Sequence, residues 1–235
     1  MCRVKRINAH LREMNELSAS LLLLLLLSAD FAFNLFHVTK HTLVSHSSLY
    51  YKLSAYLEIY HLIKLFWVVV LFAYLLAITR CSGYLAWILV FTFFLIDDAL
   101  LIHQNIGDQI AKAFDASLPQ KLSLQPRIFE LSVLALAGTV LLVIVAWAYI
   151  HSSHTFRKIS KDILLFIAAL VFFGVIVDLA GAINLGPAVI SGLDLVEDGG
   201  EMVVYSLILW YVFLLAIHNG KPELFLHELI NKPKT

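Results

Sequence analysis

The residues that could do chemistry fall in two clusters about a hundred positions apart. Asp97 and Asp98, followed by His103 and Gln104, end an apolar run that begins at Tyr84. Asp194, Glu197, Asp198 and Glu201 open another apolar run, and Asp30, Glu58, Glu130 and Asp178 stand singly near the ends of others. Ionisable groups at bilayer depth are costly and mark functional sites by default. Carboxylates crowded in a medium of low dielectric repel one another, so they take up protons or a counter-ion. Cations among these runs are few: Lys64, Arg127 and any protonated histidine. A bound divalent ion resolves the excess. Carboxylates with one or two imidazoles suit Mn, Fe, Zn, Mg or Ca, and the donor types alone do not choose among them. The expected ligands are Asp97, Asp98, His103, Glu130, Asp178, Glu197 and Glu201.

Helical spacing sharpens the set. At 100° per residue, Asp194, Glu197, Asp198, Glu201 and Tyr205 share one stripe. Glu197 and Glu201, with Asp97 or Asp98 and His103 opposite, match the kind of shell a helix bundle builds in its core. Asp97, Gln104 and Asp108 align if one helix runs through all three, but His103 leaves their face. Either that helix bends or His103 meets a different neighbour. Gly174 and Gly181 flank Asp178 at i−4 and i+3, where small residues admit a partner backbone. A plainer reading covers part of the pattern, since an acid in a first helical turn serves capping and the helix dipole. It fits Glu130 and Asp194. It fails for Asp97 and Asp178, at helix ends where the dipole favours cations. His37, His41 and His46 read as loop histidines, and Tyr50, Tyr51, Tyr56, Tyr60, Tyr84 and Trp147 as interface aromatics.

The elements that must hold these residues follow from composition. The 235-residue chain is 60% hydrophobic and 14% charged, with mean hydropathy +0.85, far from the balance of a soluble domain. Six apolar runs approach the roughly 20 residues that cross a hydrocarbon core about 30 Å thick. They are Leu17 to Phe36, Leu57 to Ile78, Tyr84 to Gln104, Ile128 to Ile150, Ile163 to Ile183 and Leu195 to Ile217. Polar connections are expected at 37–55, at 105–127 with Gly107, Pro119 and Pro126 as breakers, and at 184–193. The fold class is therefore all-α, a polytopic membrane protein with a six-transmembrane-helix bundle. It is read as one domain over 1–235, with a short N-terminal segment 1–17 and a tail 218–235. A basic lead before seven leucines also describes a secretory signal, but Ser28-Ala29-Asp30 is a poor cleavage site, so a retained helix is expected. Cys2 and Cys81 are too few for a disulfide framework and lack zinc spacing.

Short cytoplasmic loops collect Lys and Arg. With the N-terminus inside, the inner segments hold Arg3, Lys5, Arg6, Arg12, Arg80, Arg157, Lys158, Lys161, Lys221, Lys232 and Lys234. The outer loops hold only Lys40, Lys52, Lys112, Lys121 and Arg127, so both termini are expected in the cytoplasm of a cell-membrane protein. On that map nearly every intramembrane acid lies toward the outer face. Balanced charge, seventeen basic against seventeen acidic residues, lends a nucleic-acid partner no support. Membrane lipids are the expected partners, and nothing in the chain indicates an oligomeric state. The site so placed suits a metal-dependent enzyme acting on a lipid or lipid-linked substrate. The alternatives are a proton- or ion-coupled transporter and a non-catalytic assembly or sensor protein.

The motifs also resemble a known family. Ile96-Asp97-Asp98-Ala99, followed by Leu100 to Gln104, resembles the "Leu-Asp-Glu, four residues, His-Glu" signature of a family of multi-spanning bacterial membrane proteins. Val177-Asp178-Leu179-Ala180-Gly181 is similar to that family's "Leu-Glu-x-x-Gly", and Glu197-Asp198-Gly199-Gly200-Glu201-Met202 to its "Glu-Glu-Gly-x-Glu-Met". The likeness spans Tyr84 to Phe213. Asp98, Asp178 and Asp198 stand where the family pattern has Glu, which shortens ligand reach, and Gln104 removes a charge. The resemblance implies a shared intramembrane site and no assigned activity.

Overall fold

A computed structural model describes residues 2–43, 48–115, 126–177, 179 and 187–220, and all regular structure among them is helical. Helix α1 spans Cys2–Leu43, α2 Ser48–Thr79, α3 Tyr84–Leu100, α4 Ile102–Asp115, α5 Pro126–His151 and α6 His154–Val171. A π-helical segment, Phe172–Val177, continues α6, and α7 spans Pro187–Ile217. Among the described residues five helices are long and apolar enough to cross a membrane, and α3 with α4 makes a sixth if that bent pair is one span. The protein is a polytopic all-α membrane bundle.

The helices overrun the connections expected from polarity. The 37–55 stretch is helix up to Leu43 and again from Ser48, because serine, lysine and histidine do not break a helix where no Gly or Pro intervenes. At 1.5 Å per residue α1 is about 63 Å long, well beyond a hydrocarbon core. The 105–127 connection likewise starts as the amphipathic helix α4. Gly107 does not end it. A Cβ there would meet the Glu130 backbone at 2.7 Å, so this glycine is where α4 lies against α5. Pro187 opens α7, three residues into the turn region expected at 184–193, at a first-turn position where its missing N–H costs nothing.

Packing places α7 at the centre and α5 at the edge: 56% of the α7 span is buried against 6% of the α5 span. The core reads at three- and four-residue spacing: Leu65, Val68, Phe72 and Leu75 from α2, Trp87 and Phe91 from α3, Phe156, Ile159 and Ile163 from α6, Ile208 and Val212 from α7. With lipid outside, this spacing marks contact between helices rather than escape from water. Polar ties cross the core, among them Trp87 Nε1 donating to Ser160 Oγ (3.1 Å) and the Tyr211 hydroxyl donating to Asp162 (2.6 Å). Arg157 donates to the Tyr149 and Ile150 carbonyls at the end of α5 (3.0 and 2.8 Å), closing the α5–α6 turn.

Candidate functional site

The opening motif folds as a knee. Leu101 adopts left-handed backbone (φ 50°, ψ 44°), its N–H donating to the Asp97 carbonyl, and α4 departs at 62° from α3. Of the two arrangements compatible with the spacing, the helix bends. The bend swings His103 back over Asp97. Asp97 Oδ1 accepts the His103 backbone N–H (3.0 Å), and Oδ2 lies 2.7 Å from His103 Nδ1. An acid at the end of α3, where the dipole is unfavourable, thus lies at the start of α4, where it is favourable. It also meets the imidazole. Asp97 is 3% exposed, and both its oxygens are committed to His103. The Nδ1 contact leaves Nε2 as the ring atom that can reach a ligand.

Across from the knee stands α7. Its acidic stripe grades inward: Asp198 is exposed, Glu197 and Glu201 half-buried, Tyr205 buried. Glu201 lies within electrostatic reach of Asp98, Glu197 and Asp198, and Asp98 within reach of Asp97 and His103. Tyr205 feels Asp98, Glu201 and Asp97 together. The Glu201 carboxylate also lies over Gly174, where a Cβ would collide with Oε1, so the π-helical segment admits the acid by lacking a side chain. The acids of the knee and of α7 therefore converge at one end of the bundle. Glu130, by contrast, is half-buried against Gly107 at the α4–α5 contact. Asp178 lies outside the described residues.

Donors of the right kind are present, but they are not gathered. Among the described residues no three His, Cys, Asp or Glu side chains are placed to hold one metal ion. Both Asp97 oxygens face His103.

Below the acids lies a polar centre whose pairing spacing alone did not reveal. Lys64, fully buried, donates to Asp30 Oδ1 (3.0 Å), the Met202 carbonyl (2.8 Å) and Ser206 Oγ (3.3 Å), and its ammonium sits 4.5 Å from the Tyr60 ring centroid. The His61 ring meets Tyr205 edge-on at 4.2 Å. Tyr84 is thus part of the interior, only 2% exposed, and Tyr60 is half-buried, while Tyr56 and Trp147 are exposed. The available signal was that Tyr60, His61 and Lys64 share one face of α2. A shallow groove of about 370 Å³ runs beside the acids between Phe31, Asn34 and Leu35 of α1 and Leu195, Val196, Gly199 and Gly200 of α7.

Residues 17–217 match a family model described as "Domain of unknown function (DUF8692)". The chain belongs to this family. The DUF8692 match runs from the first membrane span to the end of α7, so the knee, the acidic stripe and the Lys64 centre are all within it. No curated protein and no solved structure matches the chain.

Proposed function

We propose that this DUF8692 protein binds a divalent cation at the acid-rich end of its bundle, between His103 and Asp98 at the knee and Glu201 on α7, with Glu197 alongside. The observation that carries the reading is the Asp97–His103 contact. A carboxylate that fixes one imidazole nitrogen and leaves the other open is the usual support behind a metal-bound histidine. The crowding of Asp98, Glu197, Asp198 and Glu201 supplies the negative charge such an ion would neutralise. Because no shell is preassembled among the described residues, binding would draw the knee and α7 together. The ion would supply Lewis acidity and an activated water, chemistry suited to hydrolysis. The apolar groove along α1 and α7 opens beside the acids among exposed Phe31, Leu35 and Val196, which favours a lipid or lipid-linked substrate. By the count of Lys and Arg in the loops, this end faces outward.

Metal analysis of detergent-purified protein tests the reading. The wild type is expected to carry stoichiometric metal, and Glu201→Ala and His103→Ala to lose it while still inserting into the membrane. Unchanged metal content in both variants would overturn the assignment. A second reading, ion- or proton-coupled transport, is favoured by the buried Asp30–Lys64 pair. Proton-dependent flux in liposomes by metal-free protein would put it first.

A further inference from the structure

Among the described residues, the groove between α1 and α7 has one polar side chain in its lining, Asn34, and that side chain is turned to accept a hydrogen bond. Elsewhere in the α1 span, Ser18 and Ser28 donate back to the Met14 and Leu25 carbonyls, and Asp30 pairs with Lys64. Asn34 is different. Its Nδ2 donates to the Asp30 carbonyl (2.9 Å), which fixes the amide and directs Oδ1 toward α7. There the oxygen lies over Gly199, where a Cβ would stand 2.7 Å from it, so α7 brings no side chain of its own onto it at that position. Phe31, Leu35 and Val196 form exposed apolar walls on either side. The α1 span ends at Leu35 and the α7 span begins at Leu195, so the groove stands at the depth where lipid chains meet their polar backbones. A cleft of about 370 Å³ with apolar walls and one placed polar group has the usual form of a small-molecule site. No lysine or arginine lines it among the described residues, and Glu197 and Asp198 belong to the same turns of α7, a setting that opposes a phosphate.

We propose that this groove binds a neutral lipid alcohol, with one acyl chain along Phe31, Leu35 and Val196 and the free hydroxyl donating to Asn34 Oδ1. This deepens the lipid reading given above and rests on the groove being the lipid's place, not on the cation. An amide oxygen beside apolar walls gains from an O–H donor and loses when faced by an ester or ether oxygen, which offers only lone pairs. An ordinary diacyl phospholipid carries esters at that depth and brings an anion toward Glu197 and Asp198. A hydroxyl is a donor at the end of its branch, so it can enter above Gly199 while the chain stays against α1. An amide N–H in line with a chain would bring the chain itself against the α1–α7 contact.

The test is photolabelling of the full chain in phosphatidylcholine nanodiscs, with chelator present so that the cation site plays no part. One probe is a diacylglycerol bearing a diazirine on an acyl chain, and the other is the methyl ether of the same molecule. Peptide mapping by mass spectrometry is expected to place the alcohol on residues 31–35 and 195–200, above the level on the exposed α5 residues Leu136, Leu142 and Val143. The ether should label the groove roughly 2–10-fold less, the range that one neutral hydrogen bond spans. Asn34→Leu is expected to bring the two probes level, and Val196→Trp to remove groove labelling while leaving α5 as it was. Groove labelling no higher than on α5, or unchanged in Val196→Trp, overturns lipid binding in the groove and with it the lipid part of the proposed function. Equal labelling by both probes in the wild type, or an alcohol preference that survives Asn34→Leu, overturns the hydroxyl assignment alone. The wild-type comparison needs no variant and decides the matter if Asn34→Leu does not fold.

Discussion

Asp97 and Lys64 illustrate how a charged side chain is tolerated inside this bundle. Asp97 spends one oxygen on a backbone N–H and the other on an imidazole, so its position is fixed by two bonds to one residue. If His103 is a ligand, Asp97→Asn keeps the shape but weakens the hold on Nδ1. Metal affinity, measured by competition with a chelator, should then fall roughly 10–100-fold without being lost. Retention of full affinity would remove Asp97 from a supporting role. Lys64 is a different case, a charge whose loss strands its partner. Lys64→Met leaves Asp30 buried and uncompensated and is expected to cost about 3–5 kcal/mol in detergent unfolding. Adding Asp30→Leu should return most of that, because a buried ion pair is worth little more than the apolar residues that could replace it.

At the scale of the element, the knee between α3 and α4 is the feature that makes a site out of a sequence motif. It turns on Leu101, whose φ of 50° is unfavourable for any residue with a Cβ and worst for a branched one. The Leu101 side chain is about half exposed and gives up little packing when removed. Leu101→Gly is thus expected to be neutral or to stabilise by up to about 1 kcal/mol, and Leu101→Val to destabilise by about 1–2 kcal/mol. Thermal unfolding of the two variants reads the difference, and equal melting would mean the bend is not held at this residue. Gly107 and Gly174 do related work by close approach: one lets α4 lie against the start of α5, the other leaves space for the Glu201 carboxylate.

For the molecule as a whole, the distribution of burial sets architecture, and the distribution of charge predicts an orientation. The α2–α3 turn lies at the end away from the acids, next to Arg80, and the α5–α6 turn with Arg157, Lys158 and Lys161 packs beside it through Gly83 and Phe156. A cysteine introduced as Ser82→Cys, in a chain whose Cys2 and Cys81 are replaced by Ala, should react with an impermeant thiol reagent only from the cytoplasmic face. Labelling from outside would invert the map and place the acidic site at the inner leaflet. The central position of α7 explains why the acids and the Lys64 centre both lie along it. It is the helix that α1, α2 and α6 all meet.

What the sequence determined by itself was the class of protein, the number of apolar runs, and the end of the bundle at which the acids gather. Those follow from hydropathy and periodicity, which are local properties of the chain. It also singled out Asp97, Asp98, His103, Glu197 and Glu201 as one group of candidates. How His103 meets Asp97 depended on a single left-handed residue, Leu101, which no periodicity announces. Only the tertiary structure decided that Asp97 turns onto His103, that Glu130 packs on Gly107, and that Asp30 and Lys64 pair across two helices. Such partnerships depend on the rotation of each helix against its neighbours. That rotation is set by side-chain packing between spans, and a hydropathy pattern facing uniform lipid does not record it.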